Sequence, residues 1–199
     1  MTAVLGWTID VENRERLETS RPAVLVGNHQ SNLDSVIWAN FYPDATVAVG
    51  KKEIRRIPIF GWLFQATNNI LIDRANPQKA RASVQAAADR IRRERLNVWM
   101  APEGHRNIGP EMLPFKKGPF HLAIAAQVPL VPFIASPVWA LLDARRWMVR
   151  PGRIRVRVLD PIPTDGLTEA DVEGLLRKVR MQMDAVRSEL IANAGPGIR

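Results

Sequence analysis

The chain has 199 residues, 46% of them hydrophobic, and a formal net charge of +8 at pH 7. This composition excludes a disordered or collagen-like chain and suggests one globular domain over residues 1–199. Cysteine is absent, which excludes disulfides, thiolate metal sites, iron–sulfur clusters and a cysteine nucleophile. The positive charge favours an anionic partner, such as a nucleic acid, a phospholipid surface or a phosphorylated substrate.

Short apolar runs alternate with helical patterns along the chain. The predicted strands are residues 23–26, 46–49, 69–72, 96–101, 130–134 and 153–158. The predicted helices begin near Asp34 and cover 76–95, 120–126 and 168–191, and residues 51–65 predict a loop with short helical pieces. This alternation predicts an α/β fold with a mixed, largely parallel central sheet flanked by helices, in a single domain.

Local signals mark the ends of two helices. Asn76 and Pro77 are typical of the N-cap and first position of a helix. Thr168 and Asp171 have the spacing of a capping box, with Asp in place of the usual Glu. The last strand alternates Arg with Ile or Val over residues 153–158, which predicts a half-exposed strand.

The sequence predicts no membrane-spanning segment. A spanning helix needs about 20 mostly apolar residues, and the nearest candidate, residues 118–142, contains His121, Gln127 and prolines at 119, 129, 132 and 137. The N-terminal stretch lacks the basic and apolar regions of a signal peptide.

The most informative polar stretch, residues 28–34, follows a predicted buried strand. His29 lies directly after the strand, and Asp34 opens the next helix. In α/β sheets, ligand sites gather in the loops beyond the carboxyl ends of strands. A turn could place the two side chains within hydrogen-bond distance, so that the carboxylate orients the imidazole as a general base. An N-cap aspartate beside a loop histidine accounts for the spacing equally well.

Two other interpretations of this stretch are weaker. Ser31 as a nucleophile lacks the G-x-S-x-G turn that exposes such serines. A metal site would have His29 and Asp34 but no third ligand at a suitable spacing. We therefore predict no metal here.

Charged and polar groups follow three further predicted strands. Lys51 and Arg74 each come shortly after a strand, as does the stretch PEGHRN at 102–107. Within that stretch, Gly104 permits a tight turn and Arg106 can present a planar guanidinium to a phosphate. Each arginine alone could be a solvated loop residue. Together, the groups that follow four parallel strands are expected to meet at one edge of the sheet.

Five blocks of this sequence resemble, in order, the motif blocks of the glycerolipid acyltransferases, and in particular the 1-acyl-glycerol-3-phosphate (lysophosphatidic acid) acyltransferases. The blocks are NHQSNLD (28–34), KKEI (51–54) with Pro58 and Gly61, IDR (72–74), EGHR (103–106) and VPLVP (128–132). The resemblance covers roughly residues 23–133 well and the flanks more loosely.

The resemblance implies specific roles for these residues. His29 matches the family's general base, and Asp34 matches the carboxylate that orients it. The remaining matched positions are implied to bind the acceptor and its phosphate: Lys51, Arg74, Glu103, Gly104 and Arg106.

The implied reaction moves a fatty acyl group from an acyl thioester to the sn-2 hydroxyl of 1-acyl-glycerol 3-phosphate, giving phosphatidic acid. The donor, acyl-CoA or acyl carrier protein, is a co-substrate, and since a thioester is already activated no metal or other cofactor is expected. Glycerol 3-phosphate or another lysolipid is an alternative acceptor. A protein that only binds anionic lipid or nucleic acid is the non-enzyme alternative, but the sequence has no nucleic-acid-binding motif, so nucleic acid is not an expected partner.

Three points depart from the family or stay open. Position 105 is His where the family usually has Thr, and the chain has only 27 residues before its first block, where relatives commonly carry apolar helices. The sequence does not identify the oxyanion donor; backbone amides near 28–30 or at Gly104 are candidates.

An apolar and aromatic segment at residues 57–64 lies beside Arg55 and Arg56. This pattern is typical of an interfacial segment, and arginines at 145, 146, 150, 153, 155 and 157 could contact anionic lipid. We therefore expect a peripheral protein on the cytoplasmic face of a membrane. The alternative places Phe60, Trp62 and Phe64 in the core.

Overall fold

A computed structural model describes residues 6–31, 33–109, 111–143 and 148–193. The strands are β1 (Trp7–Glu12), β2 (Val24–Gly27), β3 (Thr46–Lys51), β4 (Ile70–Ile72), β5 (Asn97–Met100), β6 (Leu130–Ala135), β7 (Leu142–Asp143), β8 (Met148–Val149) and β9 (Gly152–Val158). The α-helices are α1 (Glu15–Thr19), α2 (Asp34–Trp38), α3 (Phe60–Ala66), α4 (Pro77–Glu94), α5 (Gly118–Ala126) and α6 (Val172–Ala192). Short 3₁₀ helices cover Lys52–Arg56, Val138–Ala140 and Glu169–Asp171.

Seven strands form the central sheet in the order β1-β9-β6-β2-β5-β3-β4. Every neighbouring pair in it is parallel except β6 and β9, which are antiparallel. The predicted mixed, largely parallel α/β sheet is therefore confirmed. Because β2, β3, β4 and β5 run in the same direction, the segments that follow them leave from one edge of the sheet.

Helices cover both faces of the sheet, and alternate residues of each strand point to opposite faces. Val24 and Val26 belong to the core cluster that contains residues of α4, α5 and α6. Leu25 belongs to the opposite cluster, with Ile37 and Trp38 of α2. This burial on both faces explains why β2 is an uninterrupted apolar run.

The predicted helix signals are present. The Asn76 side chain accepts a hydrogen bond of 2.8 Å from the Lys79 amide. The predicted capping box is formed between Thr168 and Asp171, and the hydrogen bonds from Thr168 hold the pKa of the Asp171 carboxyl below its usual value.

The sequence analysis missed β1, α1 and the small β7–β8 hairpin. Within the described part of the chain, β1 lies at one end of the sheet and pairs with β9 alone. Its acidic residues form ion pairs with the arginines of β9, including Arg153 with Asp10 at 2.9 Å and Arg157 with Glu12 at 2.5 Å. Apolar and polar residues alternate strictly from Trp7 to Glu12, so the period-two pattern of a half-buried strand is present in the sequence and was overlooked.

Across the described ranges, none of the helices is long and apolar enough to cross a lipid bilayer.

Gly27 ends β2 just before the polar turn, and a methyl group there has no room. An ideal Cβ at Gly27 would lie 2.2 Å from the Phe133 ring. We expect Gly27→Ala to lower the free energy of unfolding by about 1–3 kcal/mol, because the aromatic side chain must shift in a packed core. Urea unfolding monitored by circular dichroism measures this change.

Gly174 in α6 supplies the matched control, since a Cβ there meets nothing within 4 Å. Gly174→Ala should instead raise stability by about 0.5–1 kcal/mol, because alanine loses less backbone entropy in a helix. Equal effects of the two substitutions would contradict the packing argument.

Candidate active site

A hydrogen-bonded pair, His29 and Asp34, lies in the turn between β2 and α2. The imidazole Nδ1 atom is 2.7 Å from Asp34 Oδ2. The Asp34 side chain is fully buried, whereas 24% of the His29 side chain is exposed. This geometry leaves Nε2 as the ring nitrogen available to a substrate, with its tautomer set by the contact at Nδ1.

The Asp34 carboxylate also organises the turn itself. Its Oδ2 atom accepts hydrogen bonds from the amides of Gln30 at 2.6 Å and Ser31 at 3.1 Å. All of these groups lie before α2. An N-cap side chain would instead accept a hydrogen bond from an amide inside the helix that it begins. Asp34 therefore does not act as an N-cap through its side chain, and that alternative is wrong.

The second Asp34 oxygen, Oδ1, is buried and accepts no hydrogen bond from any residue that the structure describes. A buried and partly satisfied carboxylate is costly unless a positive group lies beside it. The imidazole of His29 is the side chain that lies beside this carboxylate.

Two amide side chains attach this turn to the neighbouring strand β6. Asn28, which is fully buried, donates to the Ala135 carbonyl at 3.0 Å and accepts from the Ala135 amide at 2.9 Å. Gln30 donates to the Ser136 carbonyl at 3.0 Å and accepts from the Val138 amide at 3.0 Å. The flanking Asn and Gln of the motif are thus structural, a role that the sequence analysis did not assign.

Aromatic side chains pack around the pair. The Trp99 ring meets the His29 ring edge-on, with centroids 5.8 Å apart. Burial raises the pKa of Tyr42 well above its usual value, and the negative charge of Asp34 raises it further. The phenol therefore stays protonated beside the pair.

Glu103 lies in the interior, where only 2% of the residue is exposed. Its carboxylate accepts hydrogen bonds from the His29 amide at 3.2 Å, the Leu113 amide at 2.9 Å and the Asn107 side chain at 3.2 Å. The geometry therefore gives Glu103 a positioning role toward His29. It does not favour the direct contact with the acceptor that the motif resemblance implies.

Asn107 lies in the predicted stretch 102–107, but the sequence assigned it no role of its own. Its amide donates to the His29 carbonyl at 2.7 Å, and its side-chain oxygen accepts from the Gly109 amide at 2.9 Å. The sequence offered only its position directly after the EGHR block as a signal.

A groove of about 970 Å³ opens between α4 and α5 at the same edge of the sheet. Three of the predicted residues line it, namely Lys51, Arg74 and Gly104. Its other polar lining residues are Arg81, Gln85, His105, Lys116, His121 and Glu169, and its apolar ones include Ile72, Ala80, Val84, Met100, Ile124 and Ala125. The groove therefore combines cationic and apolar surface, which suits a ligand with a phosphate and an alkyl chain.

The loop after β5 connects the groove with the histidine. Gly104 and His105 line the groove, whereas Glu103 and Asn107 bind the backbone of His29. Arg106 is exposed in the same loop but is not part of the groove lining. The predicted convergence at one sheet edge is thus present for the turn, the loop, Lys51 and Arg74.

The two adjacent lysines, Lys51 and Lys52, lie in different surroundings. Lys52 forms an ion pair of 2.9 Å with Asp73, whereas Lys51 lines the groove. The Ala75 amide and the Lys52 ammonium hold the pKa of Asp73 below its usual value. The two blocks KKEI and IDR are therefore joined by a contact outside the groove.

Three of the candidate oxyanion donors already form hydrogen bonds within the protein. The amides of His29, Gln30 and Gly104 donate to Glu103, to Asp34 and to the Ala101 carbonyl, respectively. These bonds satisfy the backbone of the turn and the loop, and the oxyanion donor stays unassigned.

Among the described residues, no three His, Asp or Glu side chains lie close enough together to hold a metal ion. The expectations of no metal and no bound cofactor stay predictions.

The fold and the site together define an α/β protein with a histidine–carboxylate pair at the carboxyl edge of a largely parallel sheet. The loop after β5 joins this pair to a cationic and apolar groove, whose lining includes neither His29 nor Asp34. The family model described as Acyltransferase matches residues 8–136. This chain belongs to that acyltransferase family, as the motif blocks predict.

Named relatives span most of the chain. It is 40% identical over 170 residues to the "1-acyl-sn-glycerol-3-phosphate acyltransferase" of Haemophilus influenzae, covering 84% of this chain and 70% of that protein. It is 34% identical to the human "1-acyl-sn-glycerol-3-phosphate acyltransferase beta", covering 98% and 72% of the two chains. The crystal structure of the "1-acyl-sn-glycerophosphate (LPA) acyltransferase, PlsC" from Thermotoga maritima is similar, with a TM-score of 0.76, 25% identity and coverage of 94% of this chain and 74% of that one.

Proposed function

We propose that this protein transfers a fatty acyl group from an acyl thioester to the sn-2 hydroxyl of 1-acyl-glycerol 3-phosphate, giving phosphatidic acid. The observation that carries the proposal is the contact of 2.7 Å between His29 Nδ1 and the buried Asp34 carboxylate, which leaves the other ring nitrogen to act as a base. The names of the relatives support the choice of acceptor.

In the proposed reaction, His29 Nε2 takes the proton of the acceptor hydroxyl as the oxygen attacks the thioester carbonyl carbon. Asp34 stabilises the imidazolium that forms. The tetrahedral intermediate then collapses with loss of the thiolate, which takes the proton from the imidazolium. An ester bond forms, a thioester bond breaks, and His29 returns to its neutral state.

The acceptor's phosphate is proposed to bind to the cationic residues at the sheet edge. Lys51 and Arg74 line the groove, and Arg106 is exposed in the adjoining loop. Arginine can make two parallel hydrogen bonds to a phosphate. Fixing the phosphate holds the glycerol hydroxyl at a defined position, which lowers the entropic cost of the reaction.

The acyl donor is proposed to be acyl-CoA or acyl carrier protein. The apolar residues of the groove, which include Val84 on α4 and Ile124 on α5, provide a surface for an aliphatic chain. Burying such a chain contributes about 0.8 kcal/mol per methylene group. The apolar part of the groove is therefore proposed to hold the acyl chain of the donor.

The segment before and within α3 is proposed to contact an anionic membrane surface. Ile59 and Trp62 are 83% and 71% exposed, and Phe60 is 50% exposed, so the alternative that places Phe60 and Trp62 in the core is wrong. For Phe64 the core alternative is partly correct, because this residue is half-buried and its ring lies against Gly50. The exposed apolar group lies beside the exposed Arg55 and Arg56, a combination typical of interfacial segments.

The arginines of β9 contribute less to such a surface than the sequence suggested. Arg153 is paired with Asp10 at 2.9 Å, and Arg157 is paired with Glu12 and Glu189, each at 2.5 Å. Positions 145 and 146 lie outside the described residues. Arg150 and Arg155 are exposed and stay part of the proposed contact. We place its centre on residues 55–63, and a peripheral position on the cytoplasmic face follows as part of the same proposal.

The first experiment measures acyl transfer by the His29→Ala variant. Turnover should fall by about 10²–10⁴-fold, because the general base is removed. The acceptors are 1-acyl-glycerol 3-phosphate, glycerol 3-phosphate and a lysolipid without a terminal phosphate, each with acyl-CoA and with acyl carrier protein. Since the chain has no cysteine, a thiol-reactive dye reports only thiols released from the donor.

The control variant is Asp89→Asn, which removes an exposed carboxylate from α4. It should turn over like the native protein. Full activity of a folded His29→Ala would contradict the mechanism, and faster acylation of glycerol 3-phosphate by the native protein would overturn the proposed acceptor.

A second experiment tests the phosphate contact. Arg74→Ala should raise the KM for 1-acyl-glycerol 3-phosphate about tenfold or more, because a charge-assisted hydrogen bond is lost. Slow turnover of 1-acyl-glycerol, which has no phosphate, should be unchanged. The matched control is Arg93→Ala, an exposed arginine of α4 that pairs with Glu94; an equal rise in both variants would rule out a specific role for Arg74.

A third experiment measures co-sedimentation with vesicles of phosphatidylglycerol and phosphatidylcholine. Trp62→Ser should weaken binding about tenfold, since the indole no longer contributes its apolar area, and binding should weaken with salt. Met181→Ser is the control, because Met181 on α6 is equally exposed at 71%. Unchanged binding of a folded Trp62→Ser would contradict this surface.

A further inference from the structure

An arginine occupies a core position on the last helix. The buried residues of α6 recur every three or four positions, at Val172, Leu175, Val179, Met183, Arg187 and Leu190. Arg187 is only 4% exposed. Burial lowers the pKa of its guanidinium, and the negative charges of Glu103 and Asp184 oppose that shift. A buried charge is costly unless it is compensated, so its retention on a core stripe needs an explanation.

The partner of this guanidinium is the loop that follows β5. Arg187 donates a hydrogen bond of 2.6 Å to the Gly109 carbonyl. Two helical turns earlier on the same side of α6, Arg180 donates to the carbonyls of Leu113 at 2.5 Å and Met112 at 2.8 Å.

The position of Arg180 is itself defined by two further contacts. Its Nε atom is 2.6 Å from Asp184 Oδ2, and its guanidinium lies 4.9 Å from the centroid of the Phe115 ring. Among the described residues, two arginines of one helix therefore bind the backbone carbonyls of Gly109, Met112 and Leu113 in one loop.

The loop that binds these arginines also forms hydrogen bonds with the backbone of His29. Leu113, whose carbonyl binds Arg180, donates its amide to Glu103 at 2.9 Å. Glu103 in turn accepts from the His29 amide at 3.2 Å. Gly109, whose carbonyl binds Arg187, donates to Asn107 at 2.9 Å, and the Asn107 amide binds the His29 carbonyl at 2.7 Å.

We propose that Arg180 and Arg187 are positioning residues, which fix the loop at residues 103–113 and through it the backbone of His29 and the groove residues Gly104 and His105. The family match ends at residue 136, so both arginines lie outside it. The inference rests on the proposed function for its kinetic consequence, but the structural link can be measured without any substrate.

The kinetic test uses Arg187→Met, which keeps an unbranched side chain on the core face and removes the donor. We expect kcat to fall and the KM for the acceptor to rise, each about tenfold or more, because misplacement of catalytic and binding groups is costly. The KM for the acyl donor should change less. A purely structural effect would reduce the active fraction, lowering kcat with both KM values unchanged.

Arg180→Met is the second variant and is usable if Arg187→Met does not fold. Arg180 is 27% exposed, so its loss leaves the two carbonyls near water. Arg177→Met is the matched control, since Arg177 is an exposed arginine of the same helix and should leave all three kinetic parameters unchanged. Arg187→Lys keeps the charge and a hydrogen-bond donor but not the planar guanidinium, and its KM for the acceptor should lie between those of the native protein and Arg187→Met.

The substrate-free test is hydrogen–deuterium exchange of the amides. In Arg187→Met and Arg180→Met, the amides of His29 and Leu113 should exchange about tenfold faster or more than in the native protein, since the loop opens more often. The amides of β2 should not change. Native exchange at His29 and Leu113 in both variants would overturn the inference, whereas an inactive native protein with accelerated exchange in the variants would overturn only the proposed function.

Discussion

The buried carboxylate of Asp34 is the constraint on which the site depends. A fully buried carboxylate must be compensated, and here one oxygen accepts from two backbone amides and lies 2.7 Å from the imidazole of His29. The remaining oxygen has no hydrogen bond within the described part of the chain. Among the described side chains, the hydrogen-bond partner of Asp34 is His29, and in the proposed reaction the carboxylate orients that ring.

Around this pair, the loop after β5 serves two surfaces at once. Its interior side, through Glu103 and Asn107, binds the backbone of His29, and its exterior side lines the groove. A displacement of this loop would move the histidine and the groove together. Contacts from Arg180 and Arg187 on α6 hold the loop at its far end, so the catalytic edge of the sheet depends on a helix that is distant in sequence.

The positive charge of the chain is divided between structural and accessible groups. Arg157 is paired twice with carboxylates, and Arg187 is buried against the loop. Lys51 and Arg74 instead line the groove. The net charge of +8 is therefore a weaker indication of an anionic ligand than the position of Lys51 and Arg74 in the groove.

The sequence by itself determined the elements with strong local patterns, the helix caps at Asn76 and Thr168, and the placement of His29 and Asp34 in one turn, because periodicity, capping and short spacings are properties of neighbouring residues. It also determined that groups following parallel strands share one edge. Only the tertiary structure decided that Glu103 is buried against the His29 amide, 74 residues away, and that Arg187 binds a carbonyl 78 residues away. Such contacts depend on the order of strands in the sheet and on the helix that packs against it, and no local pattern encodes either.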